Sequence, residues 1–172
     1  MFLDWLFGKT NNDNAVDLTL TSILPVGAMR EIESGNLPVF NTATIVMSKN
    51  EICHFIDKSI LVAEEKRKSY KSNRFGSSIR ILKGWTIHLG NGNMSPNITS
   101  VQSFHKGILY ITNERIVFSS QKEVFDKKLK NLSSIIPYKD GITFQFGDRT
   151  YNVLLCDAKY ALTILNILTA NN

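Results

Sequence analysis

Three histidines and two cysteines have the widest chemical repertoire in this sequence, and their spacing decides what they could do. Cys53 and His54 are adjacent in an apolar run, and a thiol beside an imidazole is the pairing that nucleophilic catalysis uses. Neighbouring residues of a strand point to opposite faces, so the pair predicts no nucleophile and base. His54 therefore reads as structural. His88 follows Ile87 in a strand-like group, and His105 lies between Phe104 and Lys106. Both are expected at sheet edges or in hydrogen bonds rather than as general bases. Folding could gather Cys53, His54, His88, His105 and Cys156, but no Cys-x-x-Cys or His-x-x-x-His spacing is present, so no metal site is expected. Both cysteines are expected as buried thiols, because a chain this rich in apolar residues does not need a disulfide. Asp57, Glu64 and Glu65 could do acid–base work only around a cleft, and they read as solvated charges. No catalytic residue and no cofactor follows, and a noncatalytic protein is expected.

Two further features bear on anions. Gly90-Asn91-Gly92-Asn93 is a glycine-rich tract, but the Lys and Ser or Thr of a nucleotide-binding loop do not follow it, so it reads as a turn. The formal charge is +5, unevenly spread: the first fifty residues sum to −2 and the next two blocks of fifty to +4 and +3. Lys66, Arg67, Lys68, Lys71, Arg74, Arg80 and Lys83 follow one another with no acidic residue between them. Such a field attracts an anion, or keeps a surface loop soluble. Tyr70, Phe75 and Trp85 in or beside that run would offer stacking surfaces to nucleic acid if exposed. At the start of the chain, Phe2-Leu3-Asp4-Trp5-Leu6-Phe7 is unusually aromatic and leads through Gly8 into the polar Asn11-Asn12-Asp13-Asn14. That order reads as an anchor on a tether, with enough aromatic area to pack back on the domain, enter a partner groove or touch a membrane interface.

The elements that must position these residues belong to one domain. A chain of 172 residues with 43% hydrophobic and 20% charged residues is in the soluble globular range. Its apolar runs fall short of the roughly 20 residues a membrane helix needs. Met1-Phe2-Leu3-Asp4 has neither the basic leader nor the long apolar tract of a secretory signal. Residues 1–39 read as anchor, tether and a short helix over Val26 to Ser34 that stops at Gly35-Asn36. Residues 40–172 read mostly as strand. Thr44 to Ser48 and Ile52 to Ile56 predict an early strand pair around Lys49-Asn50, with Ser59 to Glu64 as a further strand. Ile79 to Ile81 and Trp85 to Leu89 alternate on either side of Gly84. Gly107 to Phe118 holds two apolar groups around a turn at Thr112 to Arg115. A second hairpin has Ile142, Phe144 and Phe146 on one face, a turn at Gly147-Asp148, and Tyr151, Val153 and Leu155 facing the same core. Asp157 should cap a last helix whose Ala158, Ala161, Leu162, Leu165 and Leu168 form an apolar face, widened by Tyr160, Ile164 and Ile167.

Gly107-Ile108-Leu109-Tyr110-Ile111-Thr112-Asn113-Glu114-Arg115-Ile116-Val117-Phe118 resembles the GRAM-related signature of bacterial pleckstrin-homology-like domains, in which a strand ends in Thr-Asn and the next begins after a basic residue. Gly35-Asn36-Leu37-Pro38 and Ser78 to Gly84 are similar to segments of proteins carrying such domains. The resemblance spans roughly residues 40 to 169. It implies a mainly β fold: a strongly bent antiparallel sheet, or partial barrel, closed by a C-terminal amphipathic helix. It also implies a recognition module and no shared catalytic reaction, with Thr112, Asn113 and Arg115 shaping the hairpin. The expected function is a cytoplasmic accessory domain, of bacteria or phage, that binds another protein. Phe2, Trp5, Leu6 and Phe7 are its apolar contacts and Arg67, Lys68, Lys71 and Arg74 its charged ones. The alternative is binding of anionic lipid or nucleic acid through the basic residues 66–83, with the protein peripheral to a membrane in the lipid case.

Overall fold

A computed structural model describes the backbone of residues 18–71, 78–82, 85–88 and 95–170, and the side chains of residues 18–63 and 102–170. Two compact units divide it. One comprises the chain up to Val62 together with everything from Phe104 onward, and the other is Ala63–Ser103. Nine strands are described: β1 (Cys53–Lys71), β2 (Ser78–Leu82), β3 (Trp85–His88), β4 (Ser95–Thr112), β5 (Arg115–Ser120), β6 (Val124–Lys128), β7 (Ser134–Tyr138), β8 (Gly141–Phe146) and β9 (Arg149–Leu155). Two helices, α1 (Val26–Glu33) and α2 (Ala158–Ala170), complete the described elements with a short 3₁₀ turn at Leu129–Asn131. The sheet order is β6-β5-β4-β1-β9-β8-β7, while β2 and β3 form a separate antiparallel pair. The pairings of β1 with β9, β4 with β5, β5 with β6, β7 with β8 and β8 with β9 are antiparallel. The protein is thus mainly β, a seven-stranded antiparallel sheet with a C-terminal helix.

The two hairpins form as their residues predict. Asn113-Glu114 joins β4 to β5 with Ile111 opposite Ile116, and Gly147-Asp148 joins β8 to β9 with Phe146 opposite Arg149. Ile142, Phe144, Phe146, Val153 and Leu155 are buried in one core with Tyr151 packed against it. Gly107 is required by close approach: a Cβ there would stand 2.4 Å from the Ser119 carbonyl oxygen and 2.6 Å from the Phe118 ring. The sheet also curls on itself. β6 and β9 are four strands apart in the order, about 19 Å across a flat sheet, yet the rings of Phe125 and Tyr151 lie 4.4 Å apart.

Helix α2 covers the inner face. Asp157 accepts a hydrogen bond from the Lys159 amide at 2.9 Å, capping the first turn. Ala158, Ala161, Ile164, Leu165 and Leu168 are buried against Phe55, Leu109, Ile111 and Phe118. Helix α1 joins the same core through Ala28 and Ile32. It ends at Ser34, where the Gly35 and Asn36 amides turn back to the Ile32 and Glu31 carbonyls and Gly35 takes φ +80°.

Three expectations are corrected. Ile52–Ile56 and Ser59–Glu64 are not separate strands, because β1 runs unbroken through both from Cys53. Thr44–Ser48 is not a strand. Its backbone groups are taken by side chains instead of a ladder partner: Thr42 Oγ1 accepts the Thr44 amide, Arg115 donates to the Val46 carbonyl, and Glu51 accepts the Ser48 amide. The segment instead lies over the outer face, with Phe40, Ile45 and Met47 against Cys53, Tyr110 and Val117. Finally, Cys53 is buried as expected but Cys156 is exposed, because it occupies the bend between the end of β9 and the cap of α2.

Candidate functional site

The β4–β5 hairpin is tied by a dense polar network to the chain just before β1. Thr112 ends β4 with its hydroxyl turned inward, donating to the Glu51 carboxylate at 2.8 Å and accepting the Glu114 and Arg115 amides at 3.1 and 2.9 Å. A hydroxyl that both donates and accepts can tie a turn to a buried acid. Asn113 pairs with the chain just before β1. Its backbone amide bonds the Ile52 carbonyl, its side-chain oxygen accepts the Ile52 amide at 2.8 Å, and its side-chain nitrogen donates to the Asn50 carbonyl. Arg115 grips Glu51 with two nitrogens, Nε at 2.8 Å and Nη2 at 3.2 Å, and also donates to Asp126 and to the Val46 carbonyl. Thr112, Asn113 and Arg115 therefore fasten three chain segments together.

Electrostatics follow from burial. The Glu51 side chain is fully buried, and Arg115 retains 21% exposure. Burial alone would raise the Glu51 carboxyl, but hydrogen bonds from Arg115, Ser48 and Thr112 outweigh it and hold the group below its ordinary value. Arg115 is held above its ordinary value, chiefly by its hydrogen bonds to Glu51. Beside the pair opens a cleft of about 480 Å³ lined by Ser48, Asn113, Glu114, Asp126, Lys128 and Lys130. Its wall is mixed in charge, with Glu114 and Asp126 beside Lys128 and Lys130.

Other candidate groups are engaged structurally. His54 is buried, with Nδ1 2.7 Å from the Pro38 carbonyl oxygen, which makes it the structural histidine its position predicts. Asp57 is buried rather than solvated, because its carboxylate accepts the Ser22 hydroxyl and the Ile23 amide, both at 2.7 Å, and so ties down the segment entering α1. Burial pushes the Cys53 thiol up to about 11. Among the described residues, no group of three or more His, Cys, Asp and Glu side chains could hold a metal ion. None of the described helices is long and apolar enough to cross a membrane.

The sequence-predicted contact residues are placed as follows. Phe2, Trp5, Leu6, Phe7 and Arg74 lie outside the described residues, as do Phe75 and the tract 90–93. Arg67, Lys68 and Lys71 belong to β1, and their side chains lie outside the described set. Arg80 belongs to β2, which pairs with β3 as Ile79 with Ile87 and shifts register between Arg80 and Leu82. Sequence reasoning did not single out Glu51, Asp126, Lys128 or Lys130. No local signal marks them, because Arg115 stands at a turn where a cation is ordinarily solvated and its partner Glu51 lies 64 positions away.

The division into units sharpens the charge pattern. Residues 63–103 contain seven basic and two acidic residues, while the rest of the chain has thirteen of each. The whole formal charge of +5 thus resides in that unit.

No family model matches the chain, and no curated protein matches it. Among solved structures it is similar to the Vps36 N-terminal PH domain, at 12% identity and a TM-score of 0.45 over 78% of this chain and 92% of that one.

Proposed function

We propose that this chain is a noncatalytic accessory module for protein–protein recognition, of the bacterial or phage kind its signature resembles. The observation that carries the reading is the charge partition: an electroneutral scaffold joined to a 63–103 unit that holds the entire net charge. A protein partner with an acidic face is the natural complement, steered by Arg67, Lys68, Lys71 and Arg74. Phe2, Trp5, Leu6 and Phe7 supply the apolar anchor on their polar tether, since aromatic area at a desolvated contact contributes most of an interface's affinity. The division of labour is then residues 1–39 as anchor, tether and helix, and residues 40–172 as the recognition domain. The scaffold's engaged groups support a binding role, because Glu51, Asp57 and His54 hold chain segments in place.

The same charge partition favours one second reading, direct binding of anionic lipid or nucleic acid by residues 66–83. The deciding experiment isolates the full-length protein with its bound partners from the native host at two salt concentrations. In parallel it measures binding to duplex DNA, single-stranded RNA, anionic vesicles and neutral vesicles. A stoichiometric protein partner whose affinity falls in both Trp5→Ala and Arg67→Ala supports the proposal. Unchanged affinity in both variants removes those residues from the interface. Salt-sensitive binding to a nucleic acid or to anionic vesicles, without a protein partner, replaces the proposal with the second reading.

A further inference from the structure

The segment 40–50 is attached to the sheet in an unusual way. It covers an outer face formed by Ile56, Ile108, Tyr110 and Val117, using Phe40, Ile45 and Met47, yet it contributes no strand to the ladder. At one end a single bridge joins the Phe40 amide to the Cys53 carbonyl, and at the other Asn113 holds Asn50 and Ile52. Between those ends, two of its backbone groups are anchored through one ion pair. Arg115 holds the Val46 carbonyl and Glu51 holds the Ser48 amide. Each side chain of the Glu51–Arg115 pair thus carries one anchor, so removing either one loses that anchor and takes from the other its charge partner. Of the segment's four large apolar side chains, Phe40, Ile45 and Met47 are only partly buried and Val46 is 92% exposed. A segment whose apolar side chains are only partly buried and which joins the ladder through a single bridge sits at the low end of a protein's local stability.

We propose that residues 40–50 are a latched strap that opens while the sheet stays folded, with the Glu51–Arg115 ion pair as the latch and the face at Ile56, Ile108, Tyr110 and Val117 as the surface it uncovers. The strap also covers Cys53, whose thiol is fully buried and donates to the Phe55 carbonyl at 3.3 Å. Cys53 is thus a built-in reporter of opening, and the exposed Cys156 can be removed from the readout by Cys156→Ser. The full-length Cys156→Ser protein is labelled with a soluble aromatic disulfide reagent across a series of low urea concentrations. Strap opening predicts a Cys53 labelling rate that is flat in low urea. Glu51→Gln or Arg115→Gln then raises that rate at least tenfold, with far-ultraviolet circular dichroism unchanged. A second probe, Val117→Cys with Cys53→Ala and Cys156→Ser, reads the same face from β5 and should respond in parallel.

Labelling that climbs steeply with urea from the first addition, with the dependence of global unfolding, overturns the strap. An unchanged rate in the latch variants overturns the latch. Labelling of Cys53 without labelling of the Val117→Cys probe assigns the exposure to fraying at the start of β1, and likewise overturns the proposal. If a latch variant does not fold, the urea dependence of the Cys156→Ser protein and of the Val117→Cys probe decides the matter.

Discussion

Replacing Glu51 by glutamine keeps the shape of the side chain and removes its charge, which makes it a direct test of what holds the signature hairpin. The carboxylate accepts from Arg115 Nε, Arg115 Nη2, Thr112 Oγ1 and the Ser48 amide. An amide offers one oxygen. If that oxygen keeps Arg115 Nε and Thr112, its NH₂ group faces two other donors, Arg115 Nη2 and the Ser48 amide. Losing one partner of a buried ion pair costs about 3 to 5 kcal/mol. The lower end applies here, because Arg115 is 21% exposed and keeps Asp126 and the Val46 carbonyl. About 3 kcal/mol corresponds to roughly a hundredfold in the folding equilibrium, or a fall of about 1.5 M in urea midpoint at a slope of roughly 2 kcal/mol/M. Glu123→Gln on the exposed turn before β6 is the control, expected to move stability by less than about 0.5 kcal/mol.

The pH dependence carries its own sign. Glu51 is held below its ordinary value in the folded protein, so its stabilisation is complete above the unfolded carboxyl value of about 4.3 and fades as pH falls toward the folded value. The gap between native and Glu51→Gln proteins should therefore be full at pH 7 and narrow below about pH 4. A loss under about 1 kcal/mol at pH 7, or a gap that persists undiminished at pH 3, would refute the reasoning and reduce the contact to an ordinary surface pair.

Leu165→Ala should cost about 2 to 5 kcal/mol by chemical denaturation, since Leu165 is fully buried and a cavity adds to the lost transfer energy; a change below about 0.5 kcal/mol would contradict its placement. Gly107→Ala should cost at least about 2 kcal/mol, because the new Cβ meets the Ser119 backbone oxygen rather than a yielding side chain; an unchanged urea midpoint would contradict the close strand contact. Ser59→Ala should stabilise the protein by about 1 kcal/mol, because the Ser59 hydroxyl is buried and has no hydrogen-bond partner among the described residues; a lower thermal midpoint would show that the hydroxyl is satisfied.

The features legible in the sequence share one property: their determinants are local. Alternation across Ile142–Phe146 and Tyr151–Leu155 sets which face is buried within a few residues, and Asp157 caps a helix that begins at the next position. The turn at Asn113-Glu114 could likewise be read from its flanking apolar groups. The strand predicted over Thr44–Ser48 failed for the opposite reason. Its residues have strand-like side chains, but its backbone partners are supplied by Arg115, 69 positions away from Val46, and by Glu51 as Arg115 orients it. Asp57 shows the same effect, since its burial depends on Ser22 and Ile23, more than thirty residues earlier.

That contrast bears on where recognition can reside. Arg115 reads from sequence as one more surface cation, yet its charge is cancelled by Glu51 and Asp126. Subtracting such internally matched charges leaves the 63–103 unit, where basic residues outnumber acidic ones seven to two and no internal balance of charge is available. If recognition resides in that unit, as proposed, a partner that responds to charge loses affinity when charge is removed there. Neutralising Lys128 and Lys130, whose cleft also contains Glu114 and Asp126, should change that affinity far less than neutralising Arg67 and Lys68. Salt titration of the two double variants separates a charge carried by that unit from one distributed over the scaffold, because only the first would flatten the salt dependence in the Arg67 and Lys68 variant alone.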